Sequence, residues 1–196
     1  MYDWHVAVGA IAGILTVLAV IPYIKDILHG STRPNIVSWS LWVLLLLIGV
    51  LGQISAGASW SLIFLIGDLI GTSFVLSLCI AGYGYKKYGW LEVVCFVLAI
   101  IAIVLWQLTN EPLIAIWLAV AADFLASIPT LVKAYMDPMS EAPLQFFIIA
   151  FASLLAVLST AIFDYANLLF PVYLLLINAS IGTTSFLRSR LTQEAV

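Results

Sequence analysis

The seven Lys and Arg residues of this chain are Lys25, Arg33, Lys86, Lys87, Lys133, Arg188 and Arg190. Between them run apolar stretches long enough to cross a bilayer. Taken in order, those stretches number seven, and the basic residues occupy the connections after helices 1, 3 and 5 and the tail after helix 7. The N-terminus and the connections after helices 2, 4 and 6 hold none. This is the positive-inside pattern, and it sets both helix count and orientation: N-terminus outside, C-terminus in the cytoplasm. A count wrong by one would scatter the charges over both faces.

Composition agrees. The chain is 64% hydrophobic and 9% charged, against roughly a quarter charged residues in a soluble domain. A helix needs about 20 apolar residues to span the hydrocarbon core, and 196 residues hold seven such spans with little left over. The expected spans are 4–24, 36–56, 60–82, 90–109, 113–135, 144–162 and 168–187, a single integral membrane domain covering 1–196. Tyr2, Asp3 and Trp4 precede the first span where a secretory signal would carry basic residues, so it reads as a permanent helix. Cys79 and Cys95 have no CxxC or CxxH around them and read as buried thiols, without a metal role.

The chain also echoes itself. Ala19-Val20-Ile21-Pro22-Tyr23-Ile24-Lys25 closes helix 1, and Ala126-Ser127-Ile128-Pro129-Thr130-Leu131-Val132-Lys133 closes helix 5. A short turn follows each, with Thr32 and Ser140 as expected N-caps and a proline close behind. Ile70-Gly71-Thr72-Ser73-Phe74 in helix 3 answers Ile181-Gly182-Thr183-Thr184-Ser185-Phe186 in helix 7, with a drifting offset. Helix 4 has no counterpart and serves as an inverting linker. The expected architecture is therefore all-α, with 3+1+3 parallel repeats: about 4–82, a linker helix at about 90–109, and about 113–187. Helices 1 and 5 run in the same direction, so the repeat axis lies along the membrane normal.

Such a chain resembles the SWEET, PQ-loop and MtN3-like superfamily, over nearly its whole length. The family's Pro-Gln pairs are Pro22-Tyr23 and Pro129-Thr130 here, so the prolines match and the glutamines do not. Thr32-Arg33-Pro34-Asn35-Ile36-Val37-Ser38-Trp39-Ser40-Leu41-Trp42 is similar to a stretch of bacterial SWEET-like proteins. The resemblance implies a small-molecule transporter in a bacterial inner membrane, with alternating access hinged at Pro22 and Pro129. It also implies polar side chains from helices 3 and 7 around a central solute, which Asp68 and Asn178 would supply.

The residues themselves point to mid-depth. Asp68 lies near the middle of helix 3 and Asp123 near the middle of helix 5. An ionised carboxylate there costs about 3 kcal/mol or more, and no Lys or Arg lies at that depth. Each aspartate is then protonated, hydrated in a cavity or neutralised by a cation; the alternative is a carboxyl that ties two helices together. Thr16 aligns with Asp123 by the proline register, and Ser153 marks mid-depth in helix 6. Asn178 either lines a site or holds helices together. Trp39 and Trp42, three apart, either stack on a flat ligand or contact lipid and neighbouring helices. Pro22 and Pro129 free the carbonyls of Leu18 and Leu125, and each is either a hinge or a fixed kink. Trp4, Trp60 and Trp90, with Trp106 and Trp117, suit the interfacial belt.

Enzyme motifs are absent: no GxSxG, HExxH, Walker loop or dinucleotide fingerprint occurs. Gly67-Asp68 is only faintly similar to the intramembrane aspartyl protease motif. Seven basic residues dispersed along one face exclude nucleic acid, and no cofactor is called for. Two acids without a base at mid-depth favour a neutral polar, cationic or proton-coupled solute over an anion. The competing reading is a non-transporting receptor or sensor on the same fold, for which the KDEL receptors are the model. Their basic pocket on the lumenal side has no match in this chain's outer half. Expected partners are the bilayer and a small molecule, with a homo-oligomer left open.

Overall fold

A computed structural model describes residues 4–55, 61–85, 89–108, 112–159 and 165–194. Among these every regular element is helical. The elements are α1 (Trp4–Leu28), α2 (Ile36–Ser55), α3 (Ser61–Leu78), α4 (Trp90–Leu108), α5 (Pro112–Met136), α6 (Pro143–Ser159) and α7 (Tyr165–Glu194). A wide π-turn, Cys79–Tyr83, ends α3, and a 3₁₀ turn, Pro138–Ser140, precedes α6. Trp60, Lys86 and Lys87 lie outside the described residues.

Among the described residues, three stretches are long and apolar enough to cross a membrane: Trp4–Leu28, Ile66–Tyr83 and Trp117–Met136. The first, at 25 residues, rises about 37 Å at 1.5 Å per residue, more than the roughly 30 Å of a hydrocarbon core. By length and composition these helices mark a membrane protein. Shorter apolar stretches run over Ile36–Leu47, Trp90–Leu105 and Pro143–Ser159. The outer surface suits lipid: α4 leaves Val93, Val97, Ile101, Val104 and Leu105 exposed. It buries a stripe four residues apart, Cys95, Ala99 and Ile103, the spacing of one helix face.

Helix neighbours follow a simple order. α3 packs against α1 and α2, and α7 against α5 and α6. α1 meets α6, α2 meets α5, and α4 lies on α5 with a lesser contact to α2. Small residues make the α1–α3 contact close. A Cβ built on Gly67 would come within 2.7 Å of Val17 Cγ2, and one on Gly71 within 2.8 Å of Val20 Cγ2. This four-residue glycine spacing lets two helices approach where association depends on van der Waals packing.

The basic ends of the helices come together. Arg33 N donates to Ser140 O at 2.8 Å, Tyr85 N to Pro34 O at 2.8 Å, and Arg188 Nε to Tyr135 O at 3.2 Å. The connections after α1, α3 and α5 and the last turns of α7 thus share one end of the bundle. Gly82, at φ 103°, makes the Tyr85 contact reachable, because the π-turn ends in a left-handed conformation that glycine adopts without penalty.

Two details differ from expectation. Thr32 does not cap α2: Asn35 does, its Oδ1 accepting from Val37 N at 3.0 Å and Ser38 N at 3.4 Å. Pro34 sits before the helix, so the chain stays extended past Thr32. Ser140 does not cap α6 either; its hydroxyl turns back to Asp137 O at 2.8 Å within the 3₁₀ turn. Pro143 opens α6, where its missing N–H leaves nothing unpaired.

Candidate functional site

The sequence of α5 lays a polar stripe down one face. Asp123, Ser127, Thr130 and Lys133 are spaced by 4, 3 and 3 residues, the spacing of adjacent turns, and all are buried. The stripe starts at mid-helix and reaches the basic end, about 15 Å away at 1.5 Å per residue. A polar cluster sits at each extremity.

At mid-helix, Asp123 is 7% exposed. The Tyr173 hydroxyl of α7 donates to its Oδ2 at 2.6 Å. Ser127 Oγ donates to the Asp123 carbonyl at 2.9 Å and lies beside both the carboxyl and the Tyr173 hydroxyl. Asp68, on α3, stands within coulombic reach of Asp123. Neither aspartate forms an ion pair with a described residue.

The other expected site residues are placed differently. Thr16 Oγ1 donates to Ala12 O at 3.0 Å, Asn178 Nδ2 to Leu174 O at 2.9 Å, and Ser153 Oγ to Ile149 O at 2.9 Å. All three satisfy their donors within their own helices, one turn back. Trp39 is buried with its ring stacked on Tyr23, centroids 5.3 Å apart. Trp42 meets Trp39 edge-on at 5.2 Å and packs towards Leu41 and Ala126. The chain continues in helical form through both Pro22 and Pro129; α7 carries a third internal proline, Pro171.

The second cluster lies at the basic end. Lys133 Nζ meets Glu141 Oε1 at 2.6 Å, with both side chains almost wholly buried. The ammonium also donates to Arg33 O and, at 3.1 Å, to Ser140 O, and stands over the Tyr85 ring. The Tyr23 hydroxyl donates to Glu141 Oε2 at 3.0 Å. Burial pushes the Glu141 carboxyl up from its usual range, against the opposing pull of Lys133, Tyr23 and the Ala142 N–H. Phe146 packs edge-on against Tyr23 at 6.3 Å.

Sequence reasoning missed Tyr173, Ser127, Tyr23 and the Lys133–Glu141 pair. The α5 stripe was legible as a 4-3-3 spacing of polar residues in an apolar helix. Tyr173 lies 50 positions from Asp123, and only tertiary packing joins them. Comparison with known proteins found no family model, no curated protein and no solved structure that matches the chain.

Proposed function

We propose that the chain is a seven-span membrane transporter for a neutral polar or cationic solute, with Asp123 and Asp68 at its centre. The observation that carries this reading is the hydrogen bond from Tyr173 to the buried Asp123, with Asp68 in coulombic reach and no ion pair to either aspartate among the described residues. An acid kept inside membrane-spanning helices is costly and marks a solute, proton or ion path. Tyr173 and Ser127 serve whichever protonation state is present, because each hydroxyl both donates and accepts.

The helix neighbours support two related halves. Exchanging α1, α2 and α3 for α5, α6 and α7 converts the α1–α3 contact into α5–α7 and α2–α3 into α6–α7. It also converts α1–α6 into α5–α2. That is the pattern of parallel repeats facing one another about an axis along the membrane normal, with α4 as the linker. A solute site between such halves opens to one side or the other as they rock, and Pro22 and Pro129 sit at matching places for hinges. The shared end of the basic residues is then cytoplasmic, in a bacterial inner membrane.

The test is a thermal-shift screen of neutral polar and cationic small molecules at two pH values, on wild type and Asp123→Asn. A ligand whose stabilisation depends on pH in wild type and loses that dependence in Asp123→Asn is expected. Equal, pH-independent shifts in both proteins would overturn the assignment of Asp123.

A further inference from the structure

Near the basic end, Asn35 Nδ2, Ser38 Oγ, Thr130 Oγ1 and Gln145 Oε1 are buried with no hydrogen-bond partner among the described residues. They belong to the first turns of α2 and α6 and the last turns of α5. Ser38 and Thr130 belong to one seam. Leu41 of α2 packs with Ala126 of α5, and the two helices run oppositely. One turn towards the basic end therefore brings Ser38 opposite Thr130. A further turn brings Lys133 to the Arg33 carbonyl, where its ammonium donates. Pro129 leaves the Leu125 carbonyl without its helical donor in the same seam.

A permanently dry core seldom tolerates so many unpaired groups in so small a volume, because each forfeits its hydrogen bonds to water. A passage that opens to water does tolerate them, since the open state solvates each one. Beside the apolar cluster that Tyr23, Ile27 and Trp39 share with Ala142, Phe146 and Ile181, a small set of hydrogen bonds crosses this end. Between the units α1–α3 and α5–α7 they are Tyr23 to Glu141, Lys133 to Arg33 and Arg33 to Ser140. All three pass through or beside the Lys133–Glu141 pair, whose charges regain water if it parts.

We propose that Tyr23, Glu141, Lys133 and the Arg33 backbone form a cytoplasmic gate, closing a polar passage that runs along α5 from Asp123 past Ser127 and Thr130. The proposal rests on the transport reading. In the closed state Glu141 holds α1 through Tyr23, while Lys133 holds the α1–α2 connection through Arg33. Parting the two units breaks both links together and exposes Ser38 and Thr130 to the cytoplasm.

The test reads access and needs no solute, so its failure and that of the Asp123 experiment are distinguishable. Ser38→Cys is introduced with Cys79→Ala and Cys95→Ala, and a charged methanethiosulfonate is added to the cytoplasmic face of inside-out vesicles. Slow labelling is expected with the gate intact. Glu141→Gln should raise the rate about tenfold or more, since it leaves Lys133 buried without its counter-charge. Tyr23→Phe, which removes a single hydroxyl, should raise it less. An Arg33→Cys/Ser140→Cys disulfide should suppress labelling, and reduction should restore it. If Glu141→Gln fails to fold, Tyr23→Phe and the disulfide decide the matter. Labelling that is equally fast in every variant, or unaffected by the disulfide, would overturn the gate.

Discussion

Asp123 has its Oδ2 2.6 Å from the Tyr173 hydroxyl and its carboxyl beside Ser127, so its substitutions separate fold from function. In Asp123→Asn the amide oxygen still accepts from Tyr173, and the side chain is nearly isosteric. The fold is expected to persist while pH-dependent binding is lost. Tyr173→Phe removes the donor and leaves Asp123 with one fewer partner. It should lower stability by about 1–3 kcal/mol, read as an earlier thermal transition in detergent. Glu141 gives a pH prediction. Its carboxyl is held above the usual range by burial, so the folded chain binds that proton more tightly than the unfolded chain does. Its contribution is present in full below the ordinary glutamate value, about 4.3, and is lost as pH rises through the raised one. Within that window the stability of wild type relative to Glu141→Gln should grow as pH falls. Thermal melts that stay parallel across the window would contradict this. Asp68 and Asp123 stood out in the sequence because an acid in an apolar run is rare. Glu141 did not, because a connection between helices is an ordinary place for an acid until its burial is known.

The helices themselves were legible in number and order because their apolar runs are long, but two of their basic ends were not: α1 runs on past Lys25 to Leu28 and α7 past Arg190 to Glu194, beyond the expected 24 and 187. The expected span 90–109 is helical over Trp90–Leu108, and 113–135 over Pro112–Met136. The caps were not legible: the choice of Asn35 over Thr32 depends on how the turn after α1 folds. That turn is set by Ser31 N and Thr32 N donating back to Asp26 O. The glycines matched between helices 3 and 7 also behave differently. A Cβ on Gly71 would meet Val20 of α1, whereas one on Gly182 would meet Phe147 of α6 at 3.1 Å; this is where the drifting offset of the repeat surfaces. Gly67 and Gly71 make the sharper element-scale prediction. Gly71→Ile forces a branched side chain into the space of Val20, itself stiff about χ1 in a helix. Overpacking of this kind costs about 1–3 kcal/mol, more than the modest helix-propensity gain. Val20→Ala should restore part of the loss, and a double-mutant cycle with no coupling between the two would show that the α1–α3 contact is not the cause.

For the whole molecule, charge placement and packing lead to one arrangement. Arg33, Lys133 and Arg188 reach backbone carbonyls or connections at the same end of the bundle, and Lys25 lies in the last turn of α1, which finishes there. The proposed seven crossings would put every Lys and Arg of the sequence on that side, which the positive-inside rule would make the cytoplasmic one. The prediction is a labelling pattern in intact cells. With Cys79 and Cys95 replaced by Ala, single cysteines at Ala58, Glu111 and Tyr165 should react with a membrane-impermeant maleimide, because they fall in or beside the connections free of basic residues. Cysteines at Lys86 and Arg190 should react only after the membrane is opened. The pattern is sensitive to helix number as well as to direction. One crossing more or fewer between Ala58 and Lys86 would leave Ala58 outside while moving Lys86 outside too. Inversion of the whole bundle would exchange the two sets completely. Reaction of the Lys86 cysteine in unopened cells would therefore overturn the topology, and with it the cytoplasmic placement of the Lys133–Glu141 pair.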